Sequence, residues 1–285
     1  MSRELFTRVI MDETVLMYRK QDGTAVALGN RCPHRFAPLD QGKLEGDTVS
    51  CPYHGLRFDA SGKCVLNPNG AQVIPAGARA RSYPLVERHG VLWIWPGDPG
   101  KADPARIPDV SYMDDTANWA PVRGLMEVAA NYRYVIDNLV DAAHVATVHH
   151  NTLACEPFAR AKPEVRVEGD IVWARLKIPS GKISPIWVQI WEGARNEPVT
   201  DEMEFDQWAE SGWMPGANIL QDTGAMRKGE PREAGLRSLN CHLLTPATES
   251  STHYFWGMAR DFEIGNAELS EAVRNGAEYT FNTQD

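Results

Sequence analysis

This chain of 285 residues lacks several features, and each absence removes a class of function. No apolar run reaches the roughly 18 residues that a membrane-crossing helix needs. The opening stretch MSRELFTRVIMDE has no apolar core of the kind a secretory leader carries. Positive charge is in deficit, with 29 Lys and Arg against 38 Asp and Glu. The net charge of −9 argues against a nucleic-acid partner, because phosphate binding needs a basic surface. Cysteine is sparse and odd in number, at positions 32, 51, 64, 155 and 241. A disulfide framework is therefore not expected, and reduced thiols in the cytoplasm, some of them holding metal, fit better. No Gly-x-Gly-x-x-Gly or flavin motif is present, so any nicotinamide-derived electrons would arrive through a separate protein. There are no internal repeats and no low-complexity segments.

What remains is an ordinary globular composition, 43% hydrophobic and 24% charged, long enough for two cores. Residues 1 to about 100 read as short strands broken by turns, with VLMY and AVAL on either side of Gln21-Asp22-Gly23. Val91, Trp93 and Trp95 alternate with Leu92 and Ile94, a strand pattern in which the indoles serve packing. The Pro-, Asp- and Gly-rich stretch 97–121 reads as a connection between domains. Residues 130–150 are free of Pro and Gly and have helical spacing. Strand-like runs return between Pro163 and Phe262, among them IVWARLKI, IWVQIW and STHYFWGMAR, and a second helix is expected over 266–281. Trp187, Trp191 and Trp213 are assigned to the core.

Two short motifs carry the chemistry. Cys32-Pro33-His34 is followed, after sixteen residues, by Cys51-Pro52-Tyr53-His54. Two thiolates and two imidazoles on two tight loops form a four-ligand set. Zinc accepts Cys2His2, but zinc sites usually pair Cys with Cys and His with His in sequence. A Rieske [2Fe–2S] cluster instead takes two Cys on one iron and two His on the other, so each loop gives one ligand to each metal.

The second motif is Asp141, His144, His149 and His150 within the expected helix. Two His and a carboxylate on one face of an Fe(II) ion leave positions open for O2. On an ideal helix, residues five apart diverge by about 140° and residues six apart by about 240°. His144 could therefore share an ion with either later histidine only where the helix ends or bulges.

CPHRFAPL, CPYHGLRFD and GVLWIWPGDP resemble the cluster loops and closing strand of the Rieske non-haem iron oxygenases. Asp-x-x-His-x4-His, with Asn138 ahead of it, resembles that family's mononuclear-iron motif. CHLLTPATESSTHYFWGMARDF is similar to the vanillate and dicamba O-demethylase branch. The resemblance implies an α+β protein, with a β-rich Rieske domain over 1–105 and a catalytic domain of antiparallel sheet plus helices over 106–285. It implies Cys32, His34, Cys51 and His54 as [2Fe–2S] ligands, and His144 and His149 as ligands of mononuclear Fe(II). AVRNGAEYTFNTQD resembles the ligand helix and makes Asp285 the third ligand, with Asp261 and Glu278 as fallbacks. His150 matches no ligand position. Asp141 is implied to join a cluster histidine of one subunit to an iron histidine of the next, and Asn138 to stand behind the ligands.

Asn218 and His242 match positions that hold a substrate carboxylate in the dicamba enzyme, whereas that pocket's tryptophan corresponds to Gly276, which points to a different substrate. The family's N-terminal strand is not evident before Glu4 and the chain stops at the ligand helix, so both ends are expected to be shortened. The implied reaction is monooxygenation of a methoxylated aromatic acid such as vanillate, with O2, a separate reductase or ferredoxin and a homotrimer. Hydroxylation of an aromatic methyl or ring carbon is the alternative in the same class. A Rieske electron carrier without oxygenase activity is the alternative from another.

Overall fold

The computed structural model describes residues Arg3–Thr283. The chain divides into two compact units, Met1–Ile107 with Ala247–Glu249, and Pro108–Pro246 with Ser250–Asp285. No helix among the described residues is long and apolar enough to cross a membrane.

The first unit is built from short strands: β1 (Phe6–Ile10), β2 (Glu13–Arg19), β3 (Ala25–Gly29), β4 (Lys43–Glu45), β5 (Thr48–Ser50), β6 (Arg57–Phe58), β7 (Cys64–Leu66), β8 (Ser82–Tyr83), β9 (Leu85–Arg88) and β10 (Val91–Ile94). They form sheets in the orders β1-β2-β3-β8 and β4-β5-β6-β7, with β9 and β10 paired separately. Leu16, Tyr18, Leu28, Leu39, Val49 and Phe58 make a core that also takes in Cys32 and Cys51. The indole N–H groups of Trp93 and Trp95 donate to the Arg88 and Asp98 carbonyls.

The second unit opens with β11 (Ala120–Val128), followed by α1 (Tyr132–Val140), α2 (Val145–Val148), α3 (Glu156–Arg160), β12 (Pro163–Glu168), β13 (Ile171–Gly181), α4 (Pro185–Arg195), β14 (Phe205–Met214), β15 (Asn218–Arg227), β16 (Leu236–Thr248), β17 (Ser251–Arg260) and α5 (Ala267–Thr283). Its seven strands lie in the order β11-β17-β16-β15-β14-β13-β12. One face packs Leu244, Tyr254 and Trp256 against Val135, Ile136 and Leu139 of α1 and Val273, Ala277 and Phe281 of α5.

Two expectations from the sequence need correction. IWVQIW is part of helix α4, not a strand. Pro185 starts the helix behind Ser184, where a missing N–H costs nothing. Trp187, Ile190, Trp191 and Ala194 then recur at helical spacing and pack on Phe205 and Leu236. The single helix over 130–150 is also two pieces, α1 and α2, broken at Asp141. Asp141 Oδ1 accepts from the Ala143 N–H at 2.8 Å, and such a side-chain turn competes with helical bonding. Among the tryptophans assigned to the core, Trp191 is buried, Trp187 packs beside it and Trp213 is half-buried.

Candidate functional site

The two cysteine loops share one backbone design. The Cys32 N–H donates to the Ala37 carbonyl at 2.9 Å, and the Phe36 N–H returns to the Cys32 carbonyl at 2.9 Å. In the second loop the Cys51 N–H donates to Leu56 at 2.8 Å and the Gly55 N–H returns to Cys51 at 3.0 Å. The fourth residue after each cysteine takes positive φ, 56° at Phe36 and 73° at Gly55. Glycine suits that conformation, while phenylalanine holds it at a steric cost. The equivalence of C-P-H-R-F-A and C-P-Y-H-G-L is visible only once these bonds are seen.

The loops place the four side chains in two pairs. Cys32 and Cys51 are 1% and 3% exposed. Burial pushes the Cys32 thiol up to about 11, and the neighbouring Cys51 thiol adds to the shift. His34 is exposed and His54 half-buried, with ring centroids 4.8 Å apart. The Tyr53 ring lies 4.0 Å from that of His54, and Asn69 donates to the His54 carbonyl at 2.7 Å. Two thiols inside and two imidazoles outside fit a binuclear iron–sulfur cluster with one iron on each pair. Cationic iron also offsets the cost of buried thiolates.

The second pair comes from the broken helix. His144 precedes α2 and His149 ends it, so one short turn separates the two side chains. Their ring centroids lie 5.2 Å apart, edge to face. His149 is 3% exposed. Asp141 Oδ2 lies 3.9 Å from His144 Nδ1. The helix end thus resolves the angular conflict between histidines five apart. His150 is exposed and bonds the Thr147 carbonyl through Nδ1 at 2.9 Å. Asn138, in the last turn of α1, accepts the Asp141 N–H at its carbonyl, 3.3 Å away. Asp285 lies outside the described residues. Among the described residues no third His, Cys, Asp or Glu joins the His144–His149 pair as a metal set. Asp261 instead accepts from the Arg237 N–H at 3.0 Å, and Glu278 is exposed on α5. Two adjacent imidazoles with a carboxylate still to come fit a mononuclear iron site with open positions.

The inward face of the sheet, which packs against α1, the helix just before this pair, carries a buried polar chain. His242, 2% exposed, meets the Tyr254 hydroxyl at 2.5 Å through Nδ1 and Gln221 Oε1 at 2.9 Å through Nε2. Burial pushes its pKa down to about 3, so the ring is neutral. Nε2–H then donates to Gln221, and Tyr254 donates to Nδ1. Gln221 Nε2 continues to Ser211 Oγ at 3.2 Å and to the Leu139 carbonyl of α1 at 3.4 Å.

Asn218 and His242, the two expected substrate contacts, do not share a face of the sheet. Asn218 stands opposite Leu243, while His242 stands opposite Ile219. Opposed residues share a face and successive residues alternate, so Asn218 and His242 point to opposite sides of the sheet. Asn218 Nδ2 donates to the Pro215 carbonyl at 3.3 Å, closing the turn before β15. The partner of His242 is Gln221, three residues further on, and strand parity would have found it. Gly276 is exposed on α5, and a side chain there would meet nothing within 4 Å.

These two candidate metal sites, one per unit, are of the kind a Rieske-type oxygenase uses. Residues 1–84 match the Rieske [2Fe-2S] domain and residues 128–285 the vanillate O-demethylase oxygenase C-terminal domain. The chain is 40% identical over 275 residues to the dicamba O-demethylase oxygenase component of Stenotrophomonas maltophilia, covering 96% of this chain and 79% of that one. It is 39% identical to the chloroacetanilide N-alkylformylase oxygenase component of Rhizorhabdus wittichii, covering 99% and 79%. It is 34% identical to a vanillate O-demethylase oxygenase subunit of a Pseudomonas species, covering 94% and 81%. The crystal structure of dicamba monooxygenase bound to 3,6-dichlorosalicylic acid superposes with a TM-score of 0.88 at 37% identity, covering 98% of this chain and 79% of that one. The chain belongs to the Rieske oxygenases of the vanillate O-demethylase type. It is an α+β monooxygenase component with an N-terminal [2Fe–2S] domain.

Proposed function

We propose that the chain is the oxygenase component of an aromatic O-demethylase acting on a small methoxylated aromatic acid such as vanillate. In that reaction one atom of O2 enters the methyl C–H bond and the other leaves as water. Two electrons and two protons are consumed, and the resulting hemiacetal releases formaldehyde and a phenol. The electrons would come from NAD(P)H through a separate reductase or ferredoxin. The supporting relatives are oxygenase components named for O-demethylation, and one related crystal structure holds non-haem iron together with dicamba. The observation that carries the reading is the pair of ligand sets, Cys32, Cys51, His34 and His54 in one unit and His144 with His149 in the other.

In this reading the bound cofactors supply electron storage and O2 activation. The remaining work falls to the chain itself. Asp285 completes the iron ligands. Asp141, with Oδ1 held by the Ala143 N–H, keeps Oδ2 turned toward His144 and can orient its imidazole. His242 and Gln221, fixed in a neutral hydrogen-bonded chain, form the polar floor against which the substrate is set, so that its methoxy carbon is the part left facing the iron. A head-to-tail homotrimer, with the cluster of one subunit serving the iron of the next across Asp141, belongs to the same proposal.

Hydroxylation of an aromatic methyl is the second reading. It is favoured by the 37% identity to the toluene-4-sulfonate monooxygenase iron-sulfur subunit of Comamonas testosteroni, covering 97% of this chain and 80% of that one. A pure electron carrier would need neither the His144–His149 pair nor the oxygenase domain around it. Turnover of a panel of methoxybenzoates and methylbenzoates with a cognate reductase separates the readings. Formaldehyde in step with a phenol supports demethylation, a benzyl alcohol product supports methyl hydroxylation, and reduction of the cluster with no product from either set would overturn both.

A further inference from the structure

We infer that Asn240 is a specificity-determining residue, a hydrogen-bond donor for an acceptor oxygen on the substrate. The inference deepens the proposed function and rests on its placing of the substrate against the His242 face. Asn240 stands directly opposite Gln221 in the β15–β16 ladder and two residues before His242, so all three share the inward face. Asn240 is only 6% exposed. Its Oδ1 takes the Ser238 hydroxyl proton at 2.8 Å, which fixes the amide plane. Its Nδ2 has no acceptor among the described residues, yet it is not one of the sealed partnerless atoms such as Ser184 Oγ. The N–H group therefore opens onto accessible space on the inward face. An acceptor oxygen on the substrate can replace water at this fixed donor without breaking any bond within the protein, so the site favours a ligand that carries one.

The surroundings define the chemistry of that acceptor. Inward positions 207–213 of β14, 219–225 of β15 and 236–244 of β16 carry no Lys, Arg, Asp or Glu. Recognition on this face therefore runs through neutral donors. His242 and Gln221 are already engaged with one another, whereas Asn240 Nδ2 is free to bind without breaking a protein bond. The shared ligand chemistry is an oxygen acceptor on the aromatic ring, borne by either a carboxylate or a neutral carbonyl.

The test measures dissociation constants by calorimetry on the metal-loaded protein, with 4-methoxybenzoate, 4-methoxybenzamide and 4-methoxytoluene as probes. Cluster absorbance and thermal midpoint serve as checks on folding. The wild type is expected to bind at least one acceptor-bearing probe about tenfold more tightly than 4-methoxytoluene, the size of one good hydrogen bond to a buried donor. Asn240→Ala should erase most of that preference and leave 4-methoxytoluene within about twofold, since one truncated donor touches only the acceptor. Asn240→Asp keeps the Ser238 bond and removes the donor. A larger loss for benzoate than for benzamide in Asn240→Ala, which adds no charge, identifies a carboxylate as the natural acceptor, and a larger loss for benzamide identifies a neutral carbonyl. Undiminished preference in both Asn240 variants, while Gln221→Ala or His242→Gln abolishes it, would overturn the role of Asn240 and leave the substrate face intact. Undiminished preference in all four variants would overturn the substrate face itself, and Asn240 with it.

Discussion

Nε2 of His242 lies 2.9 Å from Oε1 of Gln221, and through Gln221 it is tied to the Leu139 carbonyl at the end of α1. The ring can serve this chain only while neutral, because protonated Nδ1 could no longer accept from Tyr254. Its pKa of about 3 lies below the ordinary value of 6.5, since burial excludes the charged form. Between those two values the unfolded chain binds a proton that the fold refuses. Stability is therefore complete above pH 6.5 and falls as the pH drops toward 3, by up to about 1.4 kcal/mol per pH unit from this group. Urea midpoints of wild type and His242→Gln at pH 7, 6, 5 and 4.5 should converge as acid is added. Parallel profiles would mean that the folded ring accepts a proton at ordinary pH.

The paired cysteine loops give a second expectation. Cys32 and Cys51 are enclosed while His34 is exposed and His54 half-buried, so under the proposed ligation removing one thiol would keep three ligands but leave one iron under-coordinated. Cys32→Ala should abolish the visible absorbance and EPR signal of the cluster. A variant with an unchanged spectrum, or native protein prepared without air that contains zinc alone, would show that this set holds something else.

Much of this was legible in the sequence, and the failures share a cause. The cluster motif was readable because four ligands fall within 23 residues, held by tight loops whose chemistry is local. The placing of His144 and His149 was readable as a conflict, since their spacing cannot share a face on an ideal helix, and the break at Asp141 resolves it. The strand reading of IWVQIW failed because a short apolar run has no decisive period, and the Ser184-Pro185 start was not given its weight as a helix signal. Asn218 and His242 were not legible as lying on opposite faces: three residues along a strand reverse the face, and only the β15–β16 register shows that Gln221 is the residue beside His242. Asn240 carries no motif at all. Its interest arises from a cross-strand neighbour and an unspent N–H, both tertiary facts.

For the proposed iron pair, His144→Ala or His149→Ala should each lose the mononuclear metal and oxygenation while the cluster spectrum persists, because the two proposed ligand sets fall in separate units. Changes one step removed from a metal commonly cost 10- to 100-fold, and losing a direct ligand should cost more. Asp285→Ala is expected to behave in the same way. Iron near three per chain in the wild type and near two in each variant would agree with this. Full iron and turnover in Asp285→Ala would move the third ligand to another acid.

Asp141 offers the sharpest separation between a structural and an electron-transfer role. Its Oδ1 ends α1 by accepting the Ala143 N–H, and its Oδ2 lies 3.9 Å from His144 Nδ1. An asparagine can keep the first interaction, since its amide oxygen still accepts, so the break that sets His144 and His149 side by side should survive. What Asp141→Asn removes is the negative charge and the second acceptor, through which the carboxylate would orient His144 and meet a cluster histidine of a neighbouring subunit. The variant should therefore retain both metals, its oligomeric state by analytical ultracentrifugation and its rate of cluster reduction by the reductase. Product formation should nevertheless fall by well over tenfold, because only the step between the two centres is damaged. Single-turnover reoxidation of the pre-reduced cluster, with substrate and O2 present, reads that step directly and should slow in parallel. If Asp141 were no more than a helix-ending side chain, asparagine would substitute for it fully, and turnover and reoxidation would both stay near the wild-type rate. That result, or full activity in a protein shown to be monomeric at assay dilution, would remove Asp141 from the electron path.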